Sequence, residues 1–156
     1  MIAQAGLKNI ALFVALVALA ACGSDPGLQR TEAEASPGHR AALAALAQVG
    51  VPYRFGGHSP SGFDCSGLVH FAYLEAGVST PRTTRQLWSA ARTIEQDELE
   101  PGDLLFFRID GKMSHVGMYL GERRFVHAPQ SGRRVSVASL ETPFYGEALI
   151  RTARIY

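Results

Sequence analysis

Apolar residues follow three different patterns along the chain. Residues 10–21, IALFVALVALAA, form an unbroken apolar run. It has the length of a signal-peptide core and falls well short of the roughly 20 residues that cross a bilayer. Residues 23–36, GSDPGLQRTEAEAS, lack aromatics and periodicity and read as a flexible tether. The spacing then becomes helical. Ser36-Pro37 pairs an N-cap with proline at the first helical position, and Leu43, Leu46 and Ala47 lead to Gly50, so a helix is expected over 37–49. Residues 51–63, VPYRFGGHSPSGF, are punctuated by Gly and Pro and read as a loop. Asp64 caps a second helix running to Glu75 or Ala76 and stopped by Gly77, with Leu68, Val69, Ala72 and Tyr73 on one face. Thr83 caps a short third helix over Thr84–Ala91.

Past residue 100 the pattern changes to strands. Leu104–Phe107 follows the turn Glu100-Pro101-Gly102-Asp103. Val116–Leu120, Arg124–Ala128 and Arg134–Val137 are separated by Gly-containing turns, and Leu149–Ile155 alternates as a half-buried strand. Helices first and a meander of strands after predict an α+β fold, with N-terminal helices packed on an antiparallel sheet of about five to six strands.

Composition narrows the function classes. The 156 residues suit one domain, and 47% hydrophobic with 19% charged residues is the balance of a folded chain. A formal charge of +1 gives no electrostatic basis for nucleic-acid binding. The two cysteines, Cys22 and Cys65, offer no disulfide scaffold.

Cys65 opens the second predicted helix. Unpaired N–H groups and the helix dipole favour an anion there, so a lowered thiol pKa and a nucleophilic thiolate are expected. The same N–H groups could receive a developing oxyanion. His115 begins one predicted strand and His127 lies on the next, and adjacent antiparallel strands can place both rings on one face. His127 would then orient His115 as the third member of a triad orients the base. A zinc site built from Cys65, His115 and His127 is the competing use of these ligand types, but no CxxC or HxxxH pair supports it. His39, His58 and His70 are read as solvated or structural.

Leu19-Ala20-Ala21-Cys22 resembles a bacterial lipobox, in which the cysteine is lipidated and becomes the first residue. That resemblance implies a signal peptide over 1–21, a lipidated Cys22 with a tether over 22–36, and a membrane anchor. Gly23 after the cysteine implies the periplasmic face of an outer membrane. Pro52-Tyr53-Arg54-Phe55-Gly56-Gly57, Phe63-Asp64-Cys65-Ser66-Gly67-Leu68-Val69, Pro101-Gly102-Asp103-Leu104-Leu105-Phe106-Phe107, Ser114-His115-Val116-Gly117-Met118-Tyr119-Leu120-Gly121 and Phe125-Val126-His127-Ala128 resemble, in order, the motifs of NlpC-type peptidoglycan cysteine peptidases. The resemblance implies a papain-like domain over 37–156. It implies Cys65 as nucleophile, His115 as base and acid, His127 as the orienting residue, and the Tyr53 hydroxyl at the oxyanion site. The substrate would be a peptidoglycan stem peptide or cross-link, with the D-alanyl–diaminopimelate bond favoured over D-glutamyl–diaminopimelate. Stem carboxylates make Arg54, Arg82 and Arg85, with Ser66, candidates for substrate binding. No cofactor or metal is expected, and the protein is expected to be a monomer. A non-catalytic envelope binding protein of the same fold, or an acyltransferase using the same Cys/His pair, are the alternatives.

Overall fold

Ser36 caps the first described helix: its side chain accepts from the His39 N–H, and Pro37 follows at the first helical position. These features are seen in a computed structural model that describes residues 35–156. The expected signal segment, Cys22 and nearly all of the tether lie outside the described residues. Helix α1 spans Pro37–Leu46 and buries Ala41, Ala42 and Ala45. It ends three residues earlier than the spacing predicts. Gln48 and Val49 donate to carbonyls only three residues back, so the chain tightens into turns before reaching Gly50 at φ 94°.

The stretch 51–63, expected as a loop, contains a small antiparallel ladder of β1 (His58–Ser59) and β2 (Gly62–Phe63). It leads into α2, Cys65–Glu75, capped by Asp64. Helix α3, Thr84–Ala90, starts from a reciprocal capping box between Thr83 and Gln86. A two-residue edge strand, β3 (Arg92–Thr93), follows; it is too short to leave a periodic signal. The main strands are β4 (Leu104–Ile109), β5 (Lys112–Gly121), β6 (Arg124–His127) and β7 (Ser136–Ser139). A short helix, α4 (Pro143–Ala148), precedes β8 (Leu149–Arg154).

Six strands form one antiparallel sheet in the order β3-β8-β4-β5-β6-β7. The expected α+β architecture is the one observed. The larger core lies between the helices and one face of the sheet, where Leu68, Val69, Ala72 and Tyr73 of α2 meet Leu104, Phe106, Val116, Met118 and Val126. Leu105, Phe107 and Phe125 face the other way and pack with Leu140 under Tyr145 and Leu149. Strand β4 is therefore buried on both faces, which is why it reads as a continuous apolar run rather than an alternation. Strand β7 begins at Ser136, two residues later than expected, because Arg134 pairs with Pro52 in an isolated bridge.

Two arginines of β8 tie the layers together. Arg154 holds fully buried Asp103 through Nε–Oδ1 at 2.7 Å and Nη2–Oδ2 at 2.8 Å, and also reaches Glu100. Asp103 accepts in addition from the Glu100 N–H. Arg151 lies over the Trp88 ring at 4.6 Å and donates to the Trp88 and Ala91 carbonyls, fastening the end of α3 to the sheet.

Candidate active site

Asp64 organises the start of α2. Its Oδ1 accepts from the Gly67 N–H at 2.6 Å and its Oδ2 from the Gly56 N–H at 3.0 Å. Both oxygens also receive the Arg82 guanidinium, at 2.9 and 2.8 Å. Arg82 further donates to the Ser66 hydroxyl and the Gly57 carbonyl. The fork of Arg82 is thus engaged in holding the cap, and Ser66 is buried in the same network. The structure thus gives Arg82 and Ser66, expected to bind a substrate carboxylate, a place in the cap network. Gly57 and Gly67 allow the close approach, since a Cβ on Gly67 would run into the Gly57 carbonyl oxygen. Arg54 and Arg85 are exposed, and no side-chain partner fixes either among the described residues.

One residue past the cap, the Cys65 thiol lies 3.6 Å from the Thr84 hydroxyl and 4.0 Å from the Ser114 carbonyl oxygen. The Val116 and Ser66 N–H groups also point at the sulfur. The sulfur thus touches the backbone on both sides of His115 but makes no hydrogen bond to that ring. Burial pushes the thiol pKa up, while the Thr84, Val116 and Ser66 donors pull it down by less. The expectation of a lowered pKa is therefore corrected: the resting group is a thiol. A helix start does supply donors, but the packing around α2 removes more solvation than those donors return.

The histidines are paired as their strands allow. His115 on β5 and His127 on β6 place Nε2 and Nδ1 at 2.8 Å. Both rings face the second core, where Phe107 lies 5.9 Å from His115 and Phe125 lies 5.0 Å from His127. This apolar surrounding drives the His115 pKa down to about 4. Burial lowers His127 to about 3, with the neighbouring His115 adding to the effect. Both imidazoles are neutral at pH 7. The shared bond uses His115 Nε2, so only Nδ1 is free to take a proton. In that tautomer His115 Nε2–H donates to His127 Nδ1, and His127 Nε2–H is left to donate onward. The Tyr145 hydroxyl oxygen stands 3.5 Å from that nitrogen, its ring perpendicular to the imidazole at 89°.

Tyr53 stays protonated and able to donate: burial raises its pKa, with Cys65 and Asp64 adding to the rise. The Cys65 N–H has no acceptor among the described residues, and so is the other donor at the mouth of α2. The remaining histidines serve elsewhere. His70 Nδ1 meets the Thr80 carbonyl at 2.8 Å, and exposed His58 turns back to Gly56. Among the described residues no cluster of three or more His, Cys, Asp or Glu side chains could hold a metal.

Three neighbours of the site leave no signal in the sequence that links them to it. Thr84 reads in the sequence only as the first residue of a helix, and nothing in its local pattern points to the sulfur. Tyr145 sits on α4, a helix the sequence analysis does not predict although Thr142-Pro143 has the same form as Ser36-Pro37. Arg133 borders a cleft beside the histidine pair, with a volume of about 720 Å³.

Residues 50–154 match the NlpC/P60 family. The chain belongs to the NlpC/P60 family. It is 39% identical to murein DD-endopeptidase MepH of Escherichia coli (strain K12) over 70% of its own length and 43% of that protein. It is 37% identical to the gamma-D-glutamyl-L-lysine dipeptidyl-peptidase of Bacillus cereus (strain ATCC 10987 / NRS 248), over 64% of this chain and 31% of the other. The crystal structure of an NlpC/P60 family protein from Bacillus cereus ATCC 10987 superposes with a TM-score of 0.71 at 32% identity, covering 76% of this chain and 40% of that one. The chain thus spans less than half the length of these relatives. Its fold is the papain-like one of the family.

Proposed function

We propose that the protein is a cell-wall hydrolase that cuts peptidoglycan peptides through the Cys65 thiol. The observation that carries this reading is the 2.8 Å His115–His127 bond beside a helix-start sulfur that contacts the backbone on both sides of His115, in a chain of the NlpC/P60 family. The sulfur turns from its place beside Thr84 toward His115 Nδ1 as substrate enters. Its proton passes to that nitrogen while the sulfur attacks the peptide carbonyl carbon, because resting thiol and imidazole are both neutral. The Cys65 N–H and the Tyr53 hydroxyl receive the oxyanion. The imidazolium returns the proton to the leaving amine, the C–N bond breaks, and an acyl-enzyme remains. Water, deprotonated at the same Nδ1, releases the carboxylic acid and the free thiol. His127 holds His115 in the tautomer that each step requires.

The D-alanyl–diaminopimelate cross-link is the favoured bond. Its support is the likeness to a relative named a murein DD-endopeptidase. Cleavage beside D-glutamate, as in the name of the Bacillus cereus relative, is the second reading. The lipobox-like Leu19-Ala20-Ala21-Cys22 supports a lipid anchor on Cys22, placing the domain on the periplasmic side of an envelope membrane. Digestion of purified sacculi with the full chain, followed by mass spectrometry of the products, tests the activity. New peptide ends that vanish with Cys65→Ala are expected; identical product profiles for both proteins would refute it.

A further inference from the structure

The cleft of about 720 Å³ beside the histidine pair has a one-sided chemistry. His115, His127, Ser136 and Tyr145 form part of its wall, and the segment Gln130–Arg134 forms another, bringing two guanidinium groups. No carboxylate lines it among the described residues. Arg134 is partly committed, since Nη1 donates to the Gly50 carbonyl at 2.8 Å. Arg133 is exposed and has no side-chain hydrogen bond among the described residues. Its backbone is fixed, because its carbonyl accepts from the Tyr53 N–H at 2.9 Å and its own N–H donates to Gln130. Its positive charge is close enough to the Tyr145 phenol to pull that group's pKa down against the rise from burial. An unpaired guanidinium on a fixed stretch of backbone, beside a cavity with no acid in its lining, is a site for an anion.

The position of the cleft says which part of the substrate reaches it. The leaving amine must lie against His115 to be protonated, so the residue that carries the amine extends from Cys65 past that ring. The cleft borders His115 but not Cys65, and the segment bearing Arg133 runs beside Tyr53. We infer that this cleft is the subsite for the leaving residue, and that Arg133 binds a carboxylate carried on the carbon next to the departing nitrogen. This rests on the proposed hydrolase reading and sharpens its substrate. At a D-alanyl–diaminopimelate cross-link the leaving amine sits on a carbon that also bears a carboxylate. A carboxamide there keeps the shape and loses the charge; lysine in place of diaminopimelate loses the group altogether.

The test uses the full chain and three cross-linked stem-peptide dimers, alike except for carboxylate, carboxamide or hydrogen on the carbon bearing the amine. The wild type should cut the carboxylate dimer with kcat/KM roughly ten- to hundredfold above the other two, the range of a charge-assisted hydrogen bond. Arg133→Gln should bring the carboxylate dimer down to the level of the carboxamide. Arg133→Lys, which keeps the charge, should retain part of the preference. An unchanged thermal midpoint for both variants shows that the fold is intact, as an exposed side chain should allow. Equal rates for the three dimers with the wild type, or a preference that persists in Arg133→Gln, would overturn the subsite while leaving the hydrolase standing. No cleavage of any dimer, with sacculi also uncut, would overturn both.

Discussion

Arg82 grips both carboxylate oxygens of Asp64, at 2.9 and 2.8 Å, from a segment 18 residues further along the chain. The pair fixes where α2 begins and therefore where the sulfur stands. Both side chains are mostly buried, so Arg82→Gln should cost about 2–3 kcal/mol in a urea titration. At temperatures where the variant stays folded, kcat should fall and KM should change little. A rise in KM alone would instead mean that Arg82 contacts substrate.

The buried imidazoles set an acid limit. His115 titrates near 4 in the fold against 6.5 in the unfolded chain, because burial disfavours its charge. The unfolded chain thus binds the extra proton between these values, and stability falls as pH drops from about 6.5 to about 4. The loss due to His115 should reach about 3 kcal/mol at pH 4, measurable by denaturant titration across that range. The rate should hold its plateau down to pH 5 and halve near pH 4, where circular dichroism tells lost activity from lost fold.

Reactivity of the thiol runs the other way. Burial raises the Cys65 pKa, so alkylation by iodoacetamide should gather speed only above the usual thiol range. Thr84→Val keeps the shape and removes the hydroxyl that favours the thiolate. The midpoint of alkylation against pH should move up in that variant, and a downward shift would contradict the account.

Tyr145 supports His127 from the far side. Tyr145→Phe removes the acceptor of the His127 Nε2–H and keeps the ring against Phe125. A roughly fivefold loss in kcat is expected, the worth of one modest hydrogen bond, with KM and thermal midpoint unchanged. A shift in the acid limb of the pH–rate profile would mark the effect as acting through the imidazoles.

Asp103 is fully buried and held by Arg154 of β8. Asp103→Ala leaves Arg154 without its main partner and should cost about 3–5 kcal/mol, seen as a lower thermal midpoint.

The capping residues made the helices legible, since Ser36, Asp64 and Thr83 each announce a start by hydrogen-bonding chemistry that acts within four residues. The apolar run Leu104–Phe107 announced a central strand for the same local reason. The placement of Cys65 at a helix start and of His115 and His127 on neighbouring strands was legible because helix starts and strand alternation are short-range rules. The role of Arg82 was not, because its partner lies 18 residues away and an arginine looks alike bound or free. The thiol pKa was misread because desolvation depends on everything packed around α2, whereas the helix-start effect is visible in one turn.

Cys65 belongs to the helical layer and His115 to the sheet, and they approach only across the seam between the two. A substitution in the core between them that reseats α2 on the sheet would part sulfur from imidazole while every hydrogen bond inside each layer stays made, so the alignment of the two layers governs turnover separately from the stability of either.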